Sequence, residues 1–264
     1  MNLRALLKIL LMKSLLNLRQ FGVILFLTLS FTIQFTYAQQ GGTTTKTDSV
    51  DNAFDVRNES FFLPQALPKG KYYQNLSILY IVVPKDWTTE TITAPMAMYS
   101  GKYTLPYGFN LQASLATLII SYRFNLGPFW NYSTGKYHFG AGYQFVFNYG
   151  FLHQFGFDTK LNIWEQQPSL SAGYSFKRKA VILRGDLYIT NSIKEHQAGY
   201  TVDYPGFFNG YSISGTLEQR LWKNRLLSFA AKMNYLRYHI IAWPAFPVNQ
   251  YRYWVPEFDL GLSF

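Results

Sequence analysis

The four histidines are the side chains best suited to general acid–base chemistry, because an imidazole changes charge near neutral pH. They are well separated, at His138, His153, His196 and His239. A serine two positions along a strand would share a face with its histidine, but glycine, phenylalanine, alanine and isoleucine occupy those positions. The chain has no cysteine, and no short-spaced group of His, Asp and Glu suits a transition metal. We predict no catalytic residue, no metal site and no cofactor.

Charged residues at alternate positions are the second chemical feature. In residues 180–190, Val181 and Leu183 share one strand face, while Arg184 and Asp186 share the other. If the apolar faces meet lipid, the polar faces line the interior of a barrel. The predicted lining residues, of both charge signs, are Lys102, Arg123, Asp158, Lys160, Arg184, Asp186, Glu218, Arg220, Lys232, Glu257 and Asp259.

The elements that would carry these residues are β-strands. From Lys71 onward the sequence is rich in tyrosine and phenylalanine, is broken by turn residues and shows no helical apolar stripe. Counting back from Phe264 gives ten strands, and an even number leaves both chain ends on one side of a membrane. Because residues 84–112 are ambiguous, eight or twelve strands also fit. The predicted strands are 72–83, 96–105, 112–126, 137–149, 153–164, 168–176, 180–190, 210–221, 226–240 and 251–264.

Short turns keep the apolar faces of these strands in register. A two-residue turn at Arg178-Lys179 would pair Phe176 with Val181, both outward. A three-residue turn at 223–225 would pair Trp222 with Leu226, and Ser228 with Arg220. Longer connections at 84–95, 127–136, 191–209 and 241–250 would lie at the opposite end, and the short connection at 165–167 is the weak point.

The last strand indicates a class of protein. Residues 251–264 alternate apolar and polar and end on Phe264, which resembles the closing strand of small Gram-negative outer-membrane β-barrel proteins without indicating one family. The resemblance implies an all-β, antiparallel up-and-down transmembrane β-barrel and a monomer. It also implies Phe264 as assembly signal, with periplasmic chaperones and the barrel assembly machinery as partners. The alternative is a soluble periplasmic sandwich or lipocalin-like barrel with reversed faces; the 19% aromatic content favours the membrane.

Enzymes of this class supply a further comparison. Outer-membrane phospholipases and lipid A deacylases pair a histidine with a serine two positions along a strand, and that pair is missing here. Outer-membrane proteases carry acidic and histidine residues at the rim of a ten-stranded barrel. Glu195-His196 lies in the predicted outer loop, but a single Glu-His pair in a polar loop is more typical of solvated surface.

The amino end predicts export to the cell outer membrane. Basic residues precede the apolar run 21–31, and Ala38 offers a cleavage site, so residues 1–38 read as a signal peptide starting at Met1 or Met12. An uncleaved anchor is the alternative. Residues 39–70 then form a flexible periplasmic leader and 71–264 the barrel. Cleavage lowers the formal charge from +10 to +6, which suits lipopolysaccharide and other outer-membrane lipid headgroups. Dispersed basic residues exclude nucleic acid as a partner.

Three functions fit this architecture. The first is a structural or surface-binding barrel with a polar lumen filled by its own side chains, since ten strands enclose little space. The second is a narrow, porin-like channel for small polar or anionic solutes, lined by the inward arginines and lysines. The third is an outer-membrane hydrolase.

Overall fold

The computed structural model describes residues 55–86, 91–153, 158–197, 199–222, 225–241 and 251–264. The predicted signal peptide and the first part of the predicted leader, residues 39–54, lie outside the described residues. So do Lys223, Asn224 and most of the predicted connection at 241–250.

The described residues form a closed barrel of ten antiparallel strands. Every strand pairs with its sequence neighbours, and β1 pairs with β10 through the register Asn75↔Ser263 to Ile81↔Glu257. The predicted ten-stranded antiparallel barrel is therefore confirmed. The strands are β1 (Tyr72–Val83), β2 (Ile92–Thr104), β3 (Phe109–Leu118), β4 (Ser121–Thr134), β5 (Tyr137–Leu152), β6 (Thr159–Ser175), β7 (Lys179–Gln197), β8 (Tyr200–Trp222), β9 (Arg225–Leu236) and β10 (Tyr253–Ser263).

Helical structure is confined to short pieces. Helix α1 (Val56–Glu59) is capped by Asp55, whose carboxylate accepts a hydrogen bond from the Arg57 backbone N–H. Because the Arg57 side chain also donates to this carboxylate, the pKa of Asp55 is lowered from its ordinary value. One 3-10 turn, Pro106–Gly108, joins β2 to β3. Among the residues described, no helix has the length and apolar character needed to cross a membrane.

Two strand predictions are wrong, but their errors cancel, so the predicted number of strands is still ten. The predicted strand 112–126 is divided between β3 and β4, because the chain reverses at Ile119-Ile120, and isoleucines give no turn signal. The predicted strands 153–164 and 168–176 are one strand, β6, which runs through the expected connection at 165–167. The predicted connection at 127–136 is mostly β4, and that at 191–209 is mostly the β7–β8 hairpin.

The predicted turn registers also need correction. Tyr174, not Phe176, lies opposite Val181, because the turn is at Lys177-Arg178 and the Phe176 N–H donates to the Lys179 carbonyl oxygen over 2.8 Å. A shift of two residues leaves the faces unchanged. At the β8–β9 turn, both predicted pairs are wrong, because Trp222 lies opposite Arg225 instead of Leu226, and Ser228 lies opposite Glu218 instead of Arg220. The register also shifts between Arg220 and Trp222.

The barrel is apolar outside and polar inside, as the alternation predicts. On β9, Leu227, Phe229 and Met233 are exposed, while Ser228 and Asn234 are buried. Aromatic side chains border the outer apolar band. Near the far end, Tyr211, Tyr235 and Trp254 form one ring cluster with centroids 4.7 to 6.1 Å apart. We call the end where β1 begins and β10 ends the near end, and the opposite end the far end.

At the far end, β6, β7 and β8 continue past the aromatic cluster and reverse their polarity. The register shifts at Trp164/Glu165 and at Tyr188/Ile189, as β-bulges do. Beyond these shifts the inward face is mainly apolar, with Leu161, Ile163 and Ile193 fully buried beside Thr159 and Glu195, and the outward face carries exposed polar residues. We call this region, residues 159–163, 193–197 and 200–208, the outer extension. Apolar side chains inside and polar side chains outside are the arrangement of a protein region surrounded by water.

Candidate functional site in the barrel interior

The last part of the predicted leader lies inside the barrel. After α1 the chain enters the near end, and residues 60–65, which we call the lumen segment, are nearly all buried there. Leu63 packs with Val56 against Ala180, Ile182 and Leu226 of the barrel wall. The near end of the lumen is therefore occupied by the protein's own backbone.

Two charged side chains from opposite sides hold the lumen segment. Lys102 on β2 donates to the carbonyl oxygens of Ser60 and Phe61 over 2.9 and 2.6 Å. Glu218 on β8 accepts from the N–H groups of Phe61 and Phe62 over 3.0 and 3.3 Å, and from the Ser60 hydroxyl. Both side chains are buried. The Lys102 ammonium thus binds backbone carbonyl groups, and the Glu218 carboxylate binds backbone amide groups, of the same short segment. Each buried charge is therefore satisfied by the lumen segment.

Glycines in the barrel wall make room for the segment. A Cβ at Gly140 would lie 2.7 Å from Pro64 Cβ, and a Cβ at Gly173 would lie 2.6 Å from Leu63 Cδ1. Both glycines face inward, on β5 and β6. The wall is therefore shaped for the lumen segment, because any larger residue at either position would overlap with it.

A second piece of chain enters the lumen at the far end. After β9, residues 238–240, which we call the outer cap, turn into the barrel. Tyr238 and Ile240 pack against Leu161, Ile163 and Ile193 of the outer extension. Asn209 fixes the start of this turn, because its side-chain oxygen accepts from the backbone N–H groups of Arg237 and Tyr238.

A chamber of about 180 Å³ remains between the lumen segment and the outer cap. Its near boundary includes Phe62 and its far boundary includes His239. The chamber has two different sides. One side is mainly apolar and is formed by side chains of β1, β2 and β3, whereas all the charged side chains belong to the other strands, where Phe129, Ile182 and Ala230 lie among them. The apolar residues of the first side are Leu79, Ile81, Met96, Met98 and Ala116.

The charged side of the chamber is mostly paired. Arg184 Nε lies 2.8 Å from Asp186 Oδ1, and Lys232 Nζ lies 3.7 Å from Glu257 Oε2. Arg123 donates instead to the neutral amides of Asn125 and Gln167, over 3.3 and 3.1 Å. Pairing of this kind, within β7 for Arg184 and Asp186 and between β9 and β10 for Lys232 and Glu257, satisfies buried charges without external ions.

The structure brings most of the predicted lining residues together, in two groups. Arg123, Arg184, Asp186, Lys232, Glu257 and Asp259 line the chamber, while Lys102 and Glu218 hold the lumen segment. Arg220 follows Glu218 on the same face of β8, half-buried at the near end.

Asp158 and Lys160 lie elsewhere, and their assignment to the lumen is wrong. The Asp158 carboxylate is 66% exposed and pairs with His153 over 2.7 Å at the far end. Lys160 points outward from the outer extension, because β6 places Thr159 and Leu161 inward. The prediction assumed a lipid-facing apolar side along the whole strand, and the reversal of polarity in the outer extension removes that assumption.

Two of the histidines lie beside hydroxyl groups. Buried His138 lies between the hydroxyls of Ser133 and Ser175, 3.0 Å from each. His196 Nδ1 lies 2.9 Å from the Thr201 hydroxyl, in a hairpin strand instead of the predicted loop. Within the described ranges no three His, Asp or Glu side chains are grouped to hold a metal ion.

Comparisons with known proteins concern the barrel as a whole. Neither a protein-family model nor a curated protein matches the chain. Neisserial surface protein A is 13% identical, with 73% of this chain and 95% of that chain covered and a TM-score of 0.36. An outer membrane channel from Pseudomonas putida F1 is 7% identical, with 76% and 98% covered and a TM-score of 0.37.

The attachment invasion locus protein Ail of Yersinia pestis is 9% identical, with 75% and 100% covered and a TM-score of 0.29. With TM-scores below 0.5, none of these three likenesses indicates a function for this chain.

Proposed function

We propose that this protein is an outer-membrane β-barrel whose lumen is blocked by its own leader, and that its role is structural or surface-binding instead of transport through an open pore. The observation that carries the proposal is the grip of Lys102 and Glu218 on the lumen segment from opposite walls. A segment held by buried charge-assisted hydrogen bonds on both sides does not leave readily.

The outer surface supports a membrane location. Soluble proteins seldom expose a continuous apolar surface of this extent, whereas exposed leucine, isoleucine and aromatic side chains surround this barrel. On β8 the outward band runs from Trp222 to Tyr211, close to the roughly 9–11 residues of a membrane-spanning strand. In this orientation the near end faces the periplasm, and Phe264 lies there for the barrel assembly machinery.

The outer extension is the part of the protein best placed for surface binding. The β8 residues beyond Tyr211 reach Tyr200, which at about 3.3 Å per residue and the tilt of barrel strands places the hairpin tip roughly 25 Å above the aromatic cluster. Its outward side chains, including Lys160, Lys194 and Asp203, are exposed. Lipopolysaccharide and other outer-membrane lipid headgroups are within reach of the basic members.

A narrow channel is the second candidate function, and the chamber favours it. Arg123, Arg184 and Lys232 line the middle of the lumen and would favour anions. Conduction through this route requires both the lumen segment and the outer cap to move out of the lumen.

Single-channel recording separates the two functions. The mature chain, residues 39–264, is refolded, checked for a folded barrel by heat-modifiable gel mobility and inserted into a planar bilayer. A folded barrel that gives no current steps supports the blocked lumen. Reproducible steps that shrink when Arg184 or Lys232 is replaced by glutamine would establish the channel instead.

A further inference from the structure

The chamber contains one cation, Arg123, that has no carboxylate of the described residues in direct contact; the acidic side chains Glu165, Glu257 and Asp186 act on it from farther away. Among the described residues, no carboxylate oxygen lies within 4.0 Å of the Arg123 guanidinium, whose partners are the amide oxygens of Asn125 and Gln167 and the face of Tyr188, 5.6 Å away. The other two chamber cations each have an acidic partner. The two hydrogen bonds to amide oxygens use the Nε and Nη2 groups of the guanidinium, and a carboxylate in direct contact would complete its fork of five donors.

The apolar side of the chamber begins beside Arg123. Ala116 on β3 lies directly opposite Arg123 in the strand register. It belongs to an apolar cluster with Leu79, Ile81 and Met96. An anion at Arg123 would therefore have its remaining atoms against hydrocarbon. Water molecules alone would fill the apolar side of the chamber poorly, because each buried water needs two to four polar partners.

The opposite border of the apolar side carries an acid, Asp259, with one carboxylate oxygen that has no hydrogen-bond partner among the described residues. This oxygen, Oδ1, is buried. Asp259 on β10 lies beside Leu79 in the register. A ligand that binds Arg123 and extends along the apolar side would therefore bring its other end to the Asp259 carboxylate. A second negative charge there would be repelled.

We infer that the chamber is a binding site for a small monocarboxylate with an apolar body, anchored by Arg123 and packed against the side formed by Leu79, Met96 and Ala116. An apolar cavity of about 150 Å³ is large enough to bind benzene, and this chamber has a volume of about 180 Å³. A benzoate-sized molecule fits this space. The site goes beyond the proposed function, because binding inside the chamber is independent of whether the lumen conducts.

The test uses benzoate as the probe and the mature chain, residues 39–264. The barrel is refolded into lipid nanodiscs in the presence of radiolabelled benzoate, so that entry past the lumen segment is not required, and binding is measured by equilibrium dialysis. Three comparison compounds are tested in the same way. Benzyl alcohol has the apolar body but no charge, and inorganic phosphate has the charge but no apolar body. Terephthalate has a second carboxylate. Empty nanodiscs give the lipid background.

We expect saturable binding of about one benzoate per barrel, and at least tenfold weaker binding of each of the three comparison compounds. Arg123→Gln should weaken benzoate binding at least tenfold, while Arg123→Lys should weaken it less, because the charge remains although the fork of donors is lost. Ala116→Trp should abolish binding by filling the space. Lys160→Gln removes an equal charge from the outer surface and should change nothing.

Heat-modifiable mobility confirms that each variant folds before its binding is compared. If Ala116→Trp does not fold, the two Arg123 variants decide alone. Benzoate binding that does not saturate, or that is unchanged by Arg123→Gln in a folded barrel, overturns the inference. Equal binding of terephthalate and benzoate overturns the orientation toward Asp259 and with it the monocarboxylate specificity.

Discussion

Replacing Glu218 by alanine should release the lumen segment while leaving the barrel wall closed. The Glu218 carboxylate accepts three hydrogen bonds, from two backbone amides and the Ser60 hydroxyl. Hydrogen bonds to a charged group contribute about 1.5–3 kcal/mol each, and their loss is not fully additive. A net loss of about 3–5 kcal/mol in segment docking follows. At about 1.4 kcal/mol per factor of ten, the population of the undocked segment rises at least about a hundredfold.

The absence of cysteine makes the release measurable with a single reporter thiol. Leu63→Cys places that thiol at a position with 1% exposure, and its maleimide labelling rate reports the fraction of undocked segment. We expect labelling about a hundredfold faster when Glu218→Ala is added. Gln219→Ala is the matched control, because Gln219 is the next residue on β8 and points outward. Equal labelling rates in all three proteins would refute the role assigned to Glu218.

Three further predictions follow from single contacts. Gly173→Leu should displace the lumen segment through overlap with Leu63 and raise the labelling of the reporter thiol, whereas Gly215→Leu, with open space around its Cβ position, should not. Asp186→Asn should lower the free energy of unfolding in urea by about 1–3 kcal/mol, because Arg184 loses its carboxylate partner; an unchanged unfolding midpoint would contradict the pairing. Phe264→Ala should reduce the amount of barrel in the outer membrane but not refolding in detergent, since the Phe264 backbone bonds to Gln74 remain; normal membrane levels would show that the ring is no assembly signal.

The sequence was sufficient to predict the architecture, because alternation is a local property of each strand. On β10, Trp254, Phe258 and Leu260 are exposed and Val255 and Glu257 are buried, as the period of two predicts. Turn position is less well determined by sequence. The reversal at Ile119-Ile120 has no glycine, proline or asparagine, so its chemistry gives no signal.

The candidate site was only partly predictable, for a different physical reason. Alternation assigns Arg123 and Asp186 to the interior, but nothing in the spacing indicates which side chains meet across a lumen. The insertion of residues 60–65 depends on contacts with β2, β5, β6 and β8, far away in sequence. The available signal was the apolar stretch Phe61-Phe62-Leu63 within a polar leader, since an exposed leader has no reason to carry it.

The reversed polarity of the outer extension explains the remaining errors. Leu161 and Ile163 look like lipid-facing residues in the sequence but are buried inside the barrel. A rule that places apolar residues outside holds only within the membrane, and it reverses where the same strand enters water.

A cysteine crosslink between the leader and the wall tests the blocked lumen most directly. In the mature chain, Pro64→Cys and Gly140→Cys bring together two positions whose Cβ atoms lie 2.7 Å apart, so a movement of about 1 Å reaches disulfide geometry. The control pair joins Pro64→Cys to Gly215→Cys on the outer surface. The account predicts rapid oxidation to a crosslinked, folded barrel for the first pair and none for the second. A first pair that stays reduced in a folded barrel, or that oxidises no faster than the control, would contradict the claim that the leader occupies the lumen.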